Sequence, residues 1–222
     1  KIINTKIISK DVNLNLVNEF NYQNEKGIIN LSYLNKKKVF DYNLTNNTLL
    51  FSSAINEKKQ NPEHIVKLNF KPFFLNFNSN LDKLDISDWL SPESLLLSFL
   101  KSQLLYNKNL SVYGDVNIKK ILNFNNLNNF FLEFKIEKGL IDFSNISFIW
   151  NDIIKFNASN NLLLLQSNDL VIDGRIIIEI ENLRKIFQFF QIPKKFRKSI
   201  DMLEFDFDYN FGQEEMNIFN IK

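Results

Sequence analysis

The sequence has no cysteine, one histidine, five glycines and four prolines among its 222 residues. Without cysteine there are no disulfide bonds and no thiol chemistry. The single histidine, His64, has no partner at a recognisable spacing for a catalytic triad or a metal site. The glycines are scattered, so there is no glycine-rich phosphate loop. We therefore predict a protein that is not an enzyme and that binds neither a metal nor a cofactor.

The sequence also lacks a long apolar run and an excess of charge of one sign. No run approaches the roughly 20 apolar residues of a membrane-spanning helix. The 27 basic and 25 acidic residues are mixed along the chain, without the basic stripe that neutralises phosphates, so we do not expect a nucleic-acid partner. The chain starts without methionine and stops inside a predicted strand, so we expect a fragment of a longer protein.

What the sequence does have is alternation. Segments such as "DVNLNL", "HIVKLNF" and "LEFDFDYNF" place apolar side chains on one face of a strand and polar ones on the other. Many such strands with short turns predict a mainly β fold built on an antiparallel sheet. The segment "FFLEFKIEKGLIDFSNISFIW" predicts a hairpin that turns at Glu137-Lys138-Gly139. Glu204, Asp206 and Asp208 could form a calcium or acid/base cluster, but alternate strand positions favour an ordinary solvated face.

Two segments break the alternation and predict short amphipathic helices. Residues 91–106 begin with the start signal Ser91-Pro92-Glu93 and continue with leucines at helical spacing. Residues 182–200 begin at the capping residue Asn182, and Pro193 ends or kinks the helix. This second segment carries a basic cluster that either contacts anionic lipid headgroups or is a solvated helix end: Lys194, Lys195, Arg197 and Lys198.

A repeat with a period of 60 residues lies between the two helices. "NLSVYGDVNI" aligns with "DLVIDGRIII", so that Gly114 and Gly174 occupy the same slot of an otherwise aliphatic face. Because a strand glycine allows a sheet to bend sharply, we predict that both glycines curve the sheet around its apolar face. The predicted organisation is one segment over 1–222, with strands at 1–90, a helix at 91–106, repeat strands at 107–181, a helical insertion at 182–200 and a hairpin at 201–222.

The order of these elements resembles the C-terminal region of the AsmA-like family, relatives of TamB and of the bridge-like lipid-transfer proteins. The resemblance runs from Leu68 to Lys222 and is carried by "LNFKPFFLNFNSNLDKLDISDWL", "NLSVYGDVNI", "FKIEKGLIDFSNISFIW" and "NDLVIDGRIIIEI". It implies a long, curved, taco-like β-groove with a hydrophobic interior. It also implies a periplasmic location, a missing N-terminal anchor in the inner membrane, and a role in intermembrane lipid transfer and outer-membrane biogenesis.

The apolar face then has two interpretations. In the first, it is an open groove that binds phospholipid or another acyl-chain lipid. In the second, it is the closed core of a purely structural β-sandwich or scaffold module without a lipid ligand. The residues expected to line the groove are Leu110, Val112, Val116, Ile118, Leu132, Phe134, Ile136, Leu170, Ile172, Ile176, Ile178, Ile180, Leu203, Phe205, Phe207 and Tyr209.

Overall fold

The structure is a computed structural model in which residues 2–8, 12–20, 24–33, 36–53, 62–86, 95–102, 105–124, 126–166 and 169–222 are described. The chain divides into two compact units, 1–80 and 81–222. Whether both belong to one repeating segment, as the sequence indicates, stays a prediction. Neither described helix has the length and apolar character of a membrane-spanning segment.

The first unit is an antiparallel sheet whose strands neighbour one another in chain order. Its strands are β1 (Ile2–Ile8), β2 (Val12–Phe20), β3 (Asn24–Tyr33), β4 (Lys36–Thr45), β5 (Thr48–Ser53), β6 (His64–Phe70) and β7 (Phe73–Asp85). The end of β7, from Leu81 onward, belongs to the second unit.

The second unit repeats this arrangement with longer strands. They are β8 (Ser111–Leu122), β9 (Leu127–Glu137), β10 (Leu140–Trp150), β11 (Ile154–Gln166), β12 (Asp169–Ile180), β13 (Met202–Asn210) and β14 (Glu215–Phe219). The predicted fold class, a mainly β protein with a long antiparallel sheet and two short helices, is confirmed.

Tight turns join β9 to β10 and β10 to β11. The predicted hairpin after Glu137 turns at Lys138 and Gly139, which have φ values of 55° and 83°. Between β10 and β11 three residues separate the paired Trp150 and Ile154. Asn151 and Asp152 have φ values of 58° and 53°, and the N–H of Ile153 donates to Trp150 O at 3.0 Å. Two successive residues with positive φ form the hairpin turn whose twist matches that of the flanking strands. Asparagine and glycine adopt this conformation at low cost.

Both helices are shorter than predicted. Helix α1 covers Leu95–Leu100, and the predicted start at Ser91 lies outside the described residues. The predicted extension to residue 106 is wrong, because the N–H of Ser102 donates to Phe99 O at 3.0 Å and closes a tight turn. Residues 105 and 106 are also in a turn.

Helix α2 covers Leu183–Phe189 and begins where the sequence indicates, since the Asn182 side chain accepts a hydrogen bond from the N–H of Lys185 at 3.0 Å. It ends before Pro193, because Gln191 takes the left-handed conformation and the N–H of Ile192 donates to Phe187 O at 2.9 Å. A short 3-10 helix, Lys194–Phe196, follows. The segment predicted as 182–200 is therefore two short helices.

Candidate functional site

The second unit has one apolar face, made of transverse rows of side chains that oppose one another across the strands. We call the first of these the closed row, because it is buried. Its members are Val112, Ile136, Ile141, Leu163 and Ile172. Opposed residues of an antiparallel pair point to the same side of the sheet, so the row forms one surface.

A second row on the same face is only half-buried, and we call it the middle row. Its members oppose one another from β8 to β13: Val116, Leu132, Ile146, Ala158, Ile176 and Phe205. All except Phe205 keep part of their surface accessible. No member carries a charge or a side-chain hydrogen-bonding group, so the row offers a ligand only apolar contact.

The sixteen predicted lining residues lie on this face, with one qualification. The register places fifteen of them on the same side of β8, β9, β12 and β13, and Leu110 immediately precedes β8. Their burial is uneven. The half-buried ones are Leu110, Val116, Leu132, Phe134, Ile176, Ile178, Ile180, Leu203 and Tyr209, whereas Val112, Ile118, Ile136, Leu170, Ile172, Phe205 and Phe207 are buried. The face is thus part open surface and part closed packing.

The lining also includes residues of β10 and β11 that the sequence analysis missed. In β10 they are Ile141, Phe143, Ile146, Phe148 and Trp150, and in β11 Ile154, Phe156, Ala158, Asn161 and Leu163. In both strands the alternation slips by one residue in the middle, which is the signal of a β-bulge and could have identified them. Register shifts occur at those points, between Asp142 and Asn145 and between Ser159 and Leu162.

Gly114 and Gly174 lie in one transverse row, between the closed and middle rows, which we call the glycine row. Its members are Gly114, Phe134, Phe143, Asn161, Gly174 and Phe207. A Cβ atom on Gly174 would lie 2.9 Å from Asn161 Cγ and closer still to its Oδ1. A Cβ atom on Gly114 would overlap the ring of Phe134. Each glycine therefore provides the space that a neighbouring side chain fills. Their predicted role in curving the sheet stays a prediction.

Asn161 is the one polar side chain of the glycine row, and it is fully buried. Its Nδ2 donates to Phe143 O at 2.9 Å, in the bulge of β10. Its Oδ1 has no hydrogen-bond partner within the described part of the chain. Because bulges interrupt the strand-to-strand ladder, a side chain that satisfies a bulge carbonyl stabilises the irregular pairing.

Helix α2 covers one end of the apolar face. Ile186 packs on Ile153 and Ile154, and Phe189 meets the ring of Trp150 edge-on, with ring centroids 4.8 Å apart. The described strands of this unit form one sheet, so no second sheet of the unit covers the remaining rows.

The first unit also has an apolar face that is not closed. Two transverse rows run across β4 to β7: Tyr42, Phe51, Val66 and Phe77 in one, and Leu44, Leu49, Leu68 and Leu75 in the other. All eight are half-buried, and no hydrophobic residue with a described side chain in this unit is buried. An isolated sheet of this composition would ordinarily bury such rows.

The opposite face of the second unit is polar and paired. Arg175 Nε donates to Asp206 Oδ1 at 2.8 Å, and its Nη1 lies 3.3 Å from Glu204 Oε1. Hydrogen bonding from this guanidinium, with a smaller contribution from Asn220, holds the pKa of Asp206 below its usual value. Asp208 accepts a hydrogen bond from Asn217 at 2.8 Å. These three carboxylates are therefore partnered parts of the polar face, where a cavity of about 350 Å³ also lies beside Asp208.

His64 has partners that spacing alone did not reveal. Its Nδ1 lies 2.8 Å from Ser79 Oγ, and its Nε2 lies 3.9 Å from Glu63 Oε2. Ser79 is buried, so its hydroxyl is not available to a substrate from solvent. Among the described residues no three histidine, aspartate or glutamate side chains could hold a metal ion. The absence of enzymatic activity stays a prediction.

The predicted headgroup residues Lys194, Lys195, Arg197 and Lys198 are all exposed and follow α2. Arg197 Nε donates to Ile192 O at 3.0 Å, and its guanidinium lies over the ring of Phe187 at 5.4 Å. These contacts fold the 3-10 helix back against α2. These two contacts therefore fix the backbone position of the basic cluster relative to α2.

The structure thus offers two candidate surfaces, the partly open apolar face and the basic segment after it. Comparison of the chain with known protein families, with curated proteins and with solved structures gave no match.

Proposed function

We propose that this chain is a lipid-binding segment that holds acyl chains against its open apolar faces, as part of a protein that transfers lipids between membranes in outer-membrane biogenesis. The observation that carries the proposal is the half-buried apolar rows of both units. Single-layer sheets leave these rows accessible, and a closed structural core would not. Covering apolar surface contributes about 25 cal/mol per Å², so an apolar ligand is favoured there.

The middle row is long enough to hold an acyl chain. It crosses six strands, from Val116 to Phe205, and strand spacing gives it a length of roughly 24 Å. One leaflet of a bilayer has a hydrocarbon depth of about 15 Å, half of the full core. An extended chain can therefore lie along the row with its headgroup outside.

The chemistry of the row favours weak and unselective binding. Apolar contact has no directional preference, so the row does not select a particular headgroup, and affinity rises with the apolar area that a chain covers. Such a surface suits transport, in which a lipid must also leave. The resemblance to the AsmA-like family supports this proposal, together with a periplasmic location and attachment of the parent protein to the inner membrane.

The test is mass spectrometry of lipids extracted from the purified protein, with two matched variants. Ile176→Asn places an amide in the middle row, whereas Ile177→Asn places it one residue along the same strand, on the opposite face. We expect phospholipid in the parent protein and in the Ile177 variant, and a loss of at least about fivefold in the Ile176 variant. A folded parent protein without lipid, or equal retention in both variants, would contradict the proposal.

A second candidate is a structural module without a lipid ligand. The closed row favours it, since Ile141 and Leu163 are 1% and 2% exposed, as in an ordinary core. This candidate predicts no bound lipid and equal stability losses for substitutions along the whole apolar face. The half-buried rows of the first unit argue against it.

A further inference from the structure

The segment from Asn182 to Ile200 contains six basic residues and no acidic ones. They are Arg184, Lys185, Lys194, Lys195, Arg197 and Lys198, and all are exposed. Within the described part of the chain none of them pairs with a carboxylate. Elsewhere in the unit some exposed basic residues are ion-paired, such as Lys119 with Asp82 at 2.9 Å.

The same segment exposes large aromatic side chains. Phe189, Phe190 and Phe196 are 52%, 57% and 62% exposed. Phe189 and Phe190 are held edge-to-face with centroids 5.1 Å apart, on the ring of Trp150. The ammonium of Lys195 lies 4.8 Å from the ring centroid of Phe196. Exposed aromatic rings leave apolar surface in water, and in combination with cations they match the boundary between lipid headgroups and acyl chains.

The segment is also firmly attached to the sheet. Ile186 anchors α2 in the cluster with Ile153 and Ile154. At its base the N–H of Ile180 donates to Asp201 O at 2.9 Å, and the N–H of Glu181 donates to Ile153 O at 2.9 Å. Glu181 and Asp201, the acidic residues on either side of the segment, therefore lie at its base.

We propose that the segment Asn182–Ile200 docks on the surface of an anionic lipid bilayer, with its lysines and arginines at the headgroups and Phe190 and Phe196 inserted at the interface. An anionic bilayer fits because it can contact both the cations and the exposed phenylalanines of the segment. Heparin or a nucleic-acid duplex would satisfy the cations through its anionic groups and leave the phenylalanines exposed. Docking is independent of whether the apolar face holds an acyl chain, so each proposal can fail alone.

The experiment is flotation of the purified 222-residue chain with vesicles of phosphatidylcholine alone or with 40% phosphatidylglycerol, near 0.15 M salt. We expect binding to the anionic vesicles and little to the neutral ones. Each basic residue near such a surface is worth about a fivefold change in affinity. Reversing Lys194 and Lys198 to glutamate should therefore weaken binding by at least about 25-fold.

Matched controls separate local contact from net charge. The pair Lys83→Glu and Lys108→Glu makes the same change at exposed sites outside the segment, and screening over about 8 Å should limit its effect to less than about threefold. Phe190→Ser and Phe196→Ser should weaken binding, whereas Phe124→Ser, at an exposed phenylalanine elsewhere, should not. Circular dichroism establishes that each variant is folded.

Insertion can be measured directly, because the chain has no native cysteine. An environment-sensitive dye on Ser199→Cys should shift its emission to the blue with anionic vesicles, and the same dye on Asn109→Cys should not. Equal losses in the segment and control variants would overturn the proposal. So would binding to heparin or duplex DNA without binding to vesicles, since that would assign the cations to a polyanion.

Discussion

The glycine row makes a prediction that can be tested by a double-mutant cycle. Gly174→Ala adds one Cβ atom at a position where Asn161 Cγ would lie 2.9 Å away. The backbone of Gly174 does not have a positive φ, so the substitution brings no backbone strain. The main cost comes from displacing the Asn161 amide, which is buried and hydrogen-bonded to Phe143 O. A smaller cost comes from the Cα atom of Asn161, which would lie 3.1 Å from the new Cβ atom.

The expected magnitude follows from that displacement. Overpacking a well-filled site costs about 1–3 kcal/mol, and a buried carbonyl that loses its donor costs about 1–3 kcal/mol. Replacing a strand glycine by alanine returns roughly 0.5–1 kcal/mol through the unfolded state. We therefore expect Gly174→Ala to lower the free energy of unfolding by about 2–4 kcal/mol.

Asn161→Ala should remove most of that penalty. It costs about 1–3 kcal/mol alone, because Phe143 O is left without a donor. In the double variant the new methyl group no longer meets an amide, and only the 3.1 Å contact with the Cα atom of residue 161 remains. The cost of the double variant should therefore fall short of the sum of the two single costs by about 1–3 kcal/mol. Urea unfolding followed by circular dichroism measures the four proteins.

A second cycle serves as a control. Gly114→Ala should couple with Phe134→Leu, because the ring of Phe134 fills the space beside Gly114. The crossed pair, Gly174→Ala with Phe134→Leu, should be additive within about 0.5 kcal/mol. If Gly174→Ala and Asn161→Ala were additive too, the glycine would not serve to accommodate Asn161, and the reasoning from this contact would be wrong.

Three further predictions concern the two faces and the second helix. Leu170→Asp, at a fully buried residue, should prevent folding, because an unpaired buried carboxylate costs several kcal/mol. Ile176→Asp, at a half-buried residue, should still fold, with a loss of about 1–3 kcal/mol in the free energy of unfolding. Equal losses of the two variants in thermal melting would show that the face is one closed core. The pKa of Asp206 is lowered in the folded protein, so its pairing stabilises the fold above the unfolded pKa of about 3.9, and this contribution is lost as the pH falls through the folded pKa. Asp206→Asn should therefore reduce the dependence of the free energy of unfolding on pH at acid pH. An unchanged slope between pH 5 and 2 would contradict this prediction. Asn182→Ala removes the N-cap of α2 and should lower the stability of that helix by about 1 kcal/mol. Amide hydrogen exchange should become faster in α2 and change little in β8. An equal increase in exchange in both elements would contradict a local role of the cap.

The sequence predicted the strands well where alternation is unbroken. In β13 the apolar and acidic residues alternate without a slip, and the structure places Phe205 and Phe207 on the apolar face. The turn at Lys138 and Gly139 was predicted because a glycine follows a charged residue between two alternating runs. Local spacing is sufficient in such elements, since the side-chain period of a strand is two.

Prediction failed where the pattern depends on pairing between strands. In β11 the run from Leu162 to Leu165 has no polar residue, so it does not reveal which leucines face the apolar side, and the positive φ of Asn160 changes the phase just before it. The burial of Asn161 follows from the missing side chain of Gly174 on the next strand. The early end of α1 depends on the turn that Ser102 makes with Phe99. None of these partners can be identified from a local pattern.

The nearest-neighbour order of the strands has a consequence for how such a chain folds and lengthens. Within each unit, each described strand pairs with the strands beside it in sequence, so the stabilising contacts join residues close together in the chain. The free energy of unfolding is then approximately the sum of the stabilities of the individual hairpins and of the interfaces between neighbouring hairpins. Folding can begin at any hairpin and spread to its neighbours. Each hairpin that is duplicated adds about 9.5 Å across the strands without altering the pairing of its neighbours. Gene duplication of a single hairpin would thus increase the area of the apolar face in fixed steps, without changes to the packing of the existing strands.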